Sequence, residues 1–133
     1  MKQFVKQSIC NYQLYVRCMT YNQRRFITDT LNGFANQRTN FPYACLVIDD
    51  ASTDGEQEVL ETYINDNCSS NTILKFDDEY CKLLFAKHRN NKNCDFFIYL
   101  LKKNLFKEPE IKSKYYLPWG EFCRYEALCE GDD

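Results

Sequence analysis

Residues 43–56 read Tyr43-Ala44-Cys45-Leu46-Val47-Ile48-Asp49-Asp50-Ala51-Ser52-Thr53-Asp54-Gly55-Glu56. Tyr43 to Ile48 is apolar throughout and stops on two acids. A short run with no polar alternation reads as a strand covered on both faces, as in a parallel sheet between helices. Val59, Leu60, Tyr63 and Ile64 follow at helical spacing and fade near Asn65 to Asn67. Thr53 and Glu56 have capping-box spacing at the start of that helix, where acids are favourable.

Toward the N-terminus the same grammar repeats. Leu14 to Met19 is rich in strand formers and closes on Thr20-Tyr21-Asn22. Asn22 is a suitable N-cap for a helix whose stripe is Phe26, Ile27, Leu31 and Phe34. Asn36 to Pro42 is a polar connection. The order strand, helix, strand, helix is that of an α/β sheet with right-handed crossovers. Toward the C-terminus, Ile73–Phe76 and Leu83–Ala86 read as short strands, and His88 to Asn93 as a polar loop. Phe96 to Leu101 is apolar at every position, which leaves helix and strand both open. Lys102 to Ser113 is charged and expected to be exposed, and Pro118-Trp119-Gly120 breaks the chain. Arg124 to Cys129 reads as a last short strand before Glu130-Gly131-Asp132-Asp133. There is no internal repeat.

Composition narrows the function classes. The 133 residues, 44% hydrophobic and 27% charged, suit one globular domain or part of one. A net charge of −2 gives no electrostatic footprint for nucleic acid or an anionic membrane. No apolar run approaches the roughly 20 residues of a membrane helix, and Met1 to Ile9 lacks a signal-peptide core. The eight cysteines include no C-x-x-C pair and several lie in apolar runs, so they read as free thiols packed as small core residues. With His88 the only histidine, a metal–histidine cluster, a zinc-protease motif and a Ser-His-Asp triad are hard to build within the chain, and His88 reads as a loop or strand-end residue. The four glycines write no phosphate-binding loop. A nucleotide ligand would have to be met by carboxylates, a metal and backbone.

Open α/β sheets bind ligands outside the carboxyl ends of their strands. Three expected strands here end in polar residues: Thr20-Tyr21-Asn22, Asp49-Asp50 and Glu130-Gly131-Asp132-Asp133. As parallel neighbours they would bring up to five acids and one aromatic ring to one crevice. Crowded carboxylates raise one another's pKa unless a cation sits among them, and hard oxygen ligands suit Mg²⁺ or Mn²⁺. Asp54 and Glu56 read as helix-capping acids, whereas cap and ligand both stay open for Asp49.

These stretches resemble family 2 glycosyltransferases with the GT-A fold. Met19-Thr20-Tyr21-Asn22-Gln23 follows the first strand, Leu46 to Gly55 resembles the family's V-V-D-D-x-S-T-D-G signature, and Tyr125 to Asp133 resembles its Y-I-A-x-x-D-x-D-D segment. Phe85-Ala86-Lys87-His88 and Asn91-Lys92-Asn93 are similar to a subgroup associated with bacterial surface polysaccharide synthesis. The resemblance implies a Rossmann-like half with a mostly parallel sheet flanked by helices. It implies inverting, metal-dependent transfer of a sugar from a nucleotide donor, expected to be UDP-linked, to a glycan or other hydroxyl acceptor. Asp50 would accept a ring N–H of the base, Tyr21 would lie against it, and the backbone at Met19 and Thr20 would read its edge. Asp132 would hold Mn²⁺ or Mg²⁺, with Glu130, in place of the usual Asp, and Asp133 beside it.

No residue matches the family's general base, which is expected beyond Asp133. Residues 1–133 are therefore expected to be the donor-binding half, inactive alone and self-associating through the exposed edge of the last strand. The expected location is cytoplasmic, peripheral at the inner face of the membrane. A non-catalytic nucleotide- or metal-binding module, a receiver-like α/β signalling domain and a purely structural domain are the alternatives.

Overall fold

The computed structural model describes residues 12–69 and 72–104. Five strands, β1 (Leu14–Thr20), β2 (Tyr43–Asp49), β3 (Ile73–Asp77), β4 (Cys81–Lys87) and β5 (Cys94–Leu101), form one sheet in the order β1-β2-β5-β4-β3. Two helices, α1 (Arg24–Ala35) and α2 (Glu56–Asn67), follow β1 and β2. β1 pairs parallel with β2, and β2 with β5, while β4 runs antiparallel to both β5 and β3. Only β4 therefore runs against the other strands, and the expected α/β class holds.

Burial follows from the pleat. Alternate residues of a strand face opposite sides. Tyr43, Cys45 and Val47 of β2 and Phe96, Ile98 and Leu100 of β5 join Ile27 and Leu31 of α1 and Leu60 and Ile64 of α2 in one core. Ala44, Leu46 and Ile48 join Phe97, Tyr99 and Leu101 in a second core on the opposite face. Every residue of β2 and β5 is buried. That resolves Phe96–Leu101 as a strand: the run has no period because both of its faces are covered.

Two local expectations are corrected. Asn22 does not cap α1; it sits at φ 52°, and the helix begins after Gln23 with no side-chain cap of its own. The capping box at Thr53 and Glu56 does not form either, because α2 starts from Gly55 at φ 91°. The stripe of α1 also shifts. Its buried residues are Ile27, Leu31 and Ala35, while Phe26 is 58% exposed with the Arg25 guanidinium over its ring. Cys18, Cys45, Cys68, Cys81 and Cys94 are free thiols, as expected, and His88 follows β4 directly, bridged to Cys68. Cys10, Cys123 and Cys129 lie outside the described residues, as do the expected strand Arg124–Cys129 and its edge.

The left-handed conformation at Gly55 costs an L-residue roughly 1–2 kcal/mol. An added Cβ would lie 3.6 Å from Arg24 Nε, an ordinary contact. Gly55→Ala is therefore expected to lose about 1–2 kcal/mol through the backbone alone. Urea unfolding with an unchanged slope would show it, and a loss below a few tenths would contradict it.

Candidate functional site

The parallel register sets Thr20 beside Asp49, so the loops after β1 and β2 leave the sheet at the same rim. The two loops are bonded together residue by residue. Asp50 N donates to Thr20 O at 2.9 Å, and Asn22 N donates to Ser52 Oγ at 2.8 Å. Asn22 Oδ1 accepts from Thr53 N at 2.8 Å. The first free amides of α1 are capped by acids from the other loop: Gln23 N donates to Glu56 Oε1 at 2.9 Å and Arg24 N to Asp54 Oδ2 at 3.0 Å. Unpaired helix N–H groups favour such negative partners. Asn22 and Ala51, one in each loop, hold φ of 52° and 58°. For Ala that region costs roughly 1–2 kcal/mol, which the cross-loop bonds offset.

Glu56 and Asp49 organise the interior of this junction, and both are fully buried. Glu56 Oε2 accepts from Thr20 Oγ1 at 2.6 Å, and its Oε1 lies 2.9 Å from Ser52 Oγ. Asp49 Oδ1 accepts from Ser52 N at 2.8 Å and Gln57 Nε2 at 2.9 Å, and Oδ2 lies 2.8 Å from Ser52 Oγ. Gln57 Nε2 also donates to Leu101 O at 2.8 Å, tying α2 to the end of β5. Burial pushes the Asp49 carboxyl up to about 6, against the bonds from Ser52 and Gln57 and with help from the Glu56 charge. Asp49 is thus engaged in the loop itself. Sequence reasoning assigned Glu56 to a local cap and overlooked Ser52 and Gln57, because their partners lie across the fold or within a loop turn.

The residues singled out for a nucleotide have distinct settings. Tyr21 is 38% and Met19 41% exposed, open to a ligand at the rim. Thr20 is buried and its hydroxyl is taken by Glu56, which leaves its backbone as the part near Asp50. Asp50 is 3% exposed, and its carbonyl accepts from Asn104 Nδ2 at 3.1 Å. Glu130, Asp132 and Asp133 lie outside the described residues. Among the described residues no group of three or more His, Cys, Asp or Glu side chains forms a metal site. Asp49 and Glu56, which share Ser52 Oγ, are spent on internal bonds. A separate groove of about 490 Å³ runs between α1 and α2, lined in part by Arg24, Thr28, Glu58 and Asp66. It belongs to the helical layer rather than to the strand ends.

An α/β sheet whose parallel strands end together on interlocked acidic loops defines a ligand-binding domain of the open-sheet class. The model of the family described as "Glycosyl transferase family 2" matches residues 17–104, and the chain belongs to that family. The match covers both loops of the rim. Over 45 residues, 34% of this chain, it is 44% identical to uncharacterized proteins of two Mycobacterium tuberculosis strains and of Mycobacterium bovis. The matched stretch spans 13% of the length of each of these relatives. No solved structure matches the chain. Among the described residues no helix is long and apolar enough to cross a membrane.

Proposed function

We propose that the chain binds the nucleotide of a sugar donor, UDP-linked, at the rim where β1 and β2 end, as the donor-binding half of an inverting glycosyltransferase. The observation that carries this reading is the in-register parallel pairing of β1 and β2, which sets the Tyr21 and Asp50 loops side by side. A uracil ring presents a face that stacks on an exposed aromatic side chain and an N–H that a carboxylate accepts. Tyr21 supplies the first and Asp50 the second, while backbone at Met19 and Thr20 reads the base edge. Discrimination comes from the unpaired group that a wrong base would leave.

A divalent cation, Mn²⁺ or Mg²⁺, belongs with this reading, held by Asp132 with Glu130 and Asp133. Such an ion stabilises negative charge on a diphosphate. Sugar transfer to a glycan hydroxyl in cell-surface polysaccharide synthesis, by a protein acting on the cytoplasmic side of a membrane, is the role of the full enzyme.

Calorimetric titration with UDP, with and without Mn²⁺, tests the reading. Binding is expected to strengthen with Mn²⁺, and Asp132→Asn is expected to remove that enhancement while metal-free binding persists. Absence of UDP binding under both conditions would refute the donor site, and labelling by a small phosphodonor would favour the receiver-like alternative.

A further inference from the structure

Ser52 Oγ has three partners: Asn22 N at 2.8 Å, Asp49 Oδ2 at 2.8 Å and Glu56 Oε1 at 2.9 Å. The amide of Asn22 donates to it. A serine hydroxyl has one hydrogen, so it donates to one carboxylate and not to both. Were both acids ionised, one oxygen pair would face each other with no hydrogen between, next to two fully buried charges. One more proton is required. Glu56 Oε2 is supplied by Thr20 Oγ1 and Glu56 Oε1 by Gln23 N. Asp49 Oδ1 is supplied by Ser52 N and Gln57 Nε2. Asp49 Oδ2 has no donor besides Ser52 among the described residues, so the proton belongs there.

We propose that a protonated Asp49 donates through Ser52 to Glu56, and that this relay makes Asp49 and Glu56 positioning residues for the Thr20–Asn22 loop and for Asp50. The functional part of the inference rests on the donor-site reading above. Glu56 holds Thr20 and Gln23 directly, and Ser52 holds Asn22, so the relay sets both sides of the rim at once. The groups facing it agree with a retained proton. β1 offers Thr20 and Cys18, whose thiol is itself raised by burial and by the Glu56 charge. α2 offers Glu56 and Gln57, the loop Asp50 and Asp54, and β5 Leu100 and the Leu101 carbonyl. From α1, the Arg24 side chain lies along Gly55. Burial raises the Asp49 carboxyl from 3.8 to about 6. The folded chain therefore keeps a proton that the unfolded chain releases between those values. Stability from the relay is full at the acid end, falls as pH rises through that window, and is gone above it.

The test follows UDP affinity and the amide exchange of Asn22 and Gln23, each rate divided by the intrinsic rate of an unprotected amide at the same pH, in the full 133-residue chain from pH 5 to pH 8, with infrared detection of protonated carboxyl. In the wild-type chain, affinity is expected to fall several-fold, and both amides to exchange faster, as one carboxyl band disappears near pH 6. Asp49→Asn puts a permanent N–H donor in place of the proton. Its affinity and exchange profiles are expected to be flat, with the band missing throughout. A wild-type chain with no carboxyl band at pH 5, or an Asp49→Asn profile that titrates like wild type, overturns the relay. A titrating band and titrating amides with no UDP binding at any pH uphold the relay's hold on the loops and refute the donor site instead.

Discussion

Asp50→Asn is expected to lower UDP affinity about 10–100-fold, the loss of a hydrogen bond to a charged acceptor of roughly 1.5–3 kcal/mol. The amide keeps the size of the carboxyl and leaves the main-chain link from Asp50 N to Thr20 O intact, so the fold should persist. The base supplies a sharper sign. Uracil presents an N–H to this position, whereas cytosine presents a bare nitrogen that a carboxylate repels and an amide N–H satisfies. The preference for UDP over CDP is therefore expected to narrow in the variant as well. Calorimetry with both nucleotides on wild-type and variant chains reads this directly. Equal UDP affinity in the two proteins would remove Asp50 from the site.

The largest loss of stability is expected from Phe96→Ala. Phe96 is fully buried near the start of β5, edge-on to the Tyr63 ring of α2 with centroids 6.0 Å apart. β5 lies between β2 and β4, so its side chains cannot be replaced by sliding an edge inward. Truncating such a ring costs about 3–5 kcal/mol in lost burial and the cavity left behind. Against the roughly 5–15 kcal/mol of a typical domain, that is enough to leave part of the chain unfolded at room temperature. Thermal unfolding by circular dichroism would register it as a fall of about 10 °C or more. A fall of a degree or two would mean that the core around Tyr63 refills.

The sequence showed the elements more clearly than their ends. β1, α1, β2 and α2 announce themselves because each has a pattern that matches its own burial, continuous for β2 and helical for the α1 and α2 stripes. The start of α1 was misread for a physical reason. The amides of Gln23 and Arg24 are capped by Glu56 and Asp54, about thirty residues downstream, and rules that look three or four residues ahead cannot find them. Of the candidate site, the nearness of Tyr21 and Asp50 was legible because parallel strands ending in polar residues share a rim. The inner pair of acids was not. A carboxylate that serves as a cap and one that clamps two loops have the same letter, and only the register of β1 on β2 tells them apart.

The place of β5 also bears on how the protein is made. A chain leaving the ribosome can assemble β1, α1, β2 and α2 first, and then the β3–β4 hairpin, but within the sheet these two pieces are joined only through β5. Until Cys94–Leu101 emerges, β2 and β4 each present an open side with unpaired backbone groups. Translation that pauses short of that strand would leave two sticky templates waiting for one insert, and chaperone demand should peak in that interval.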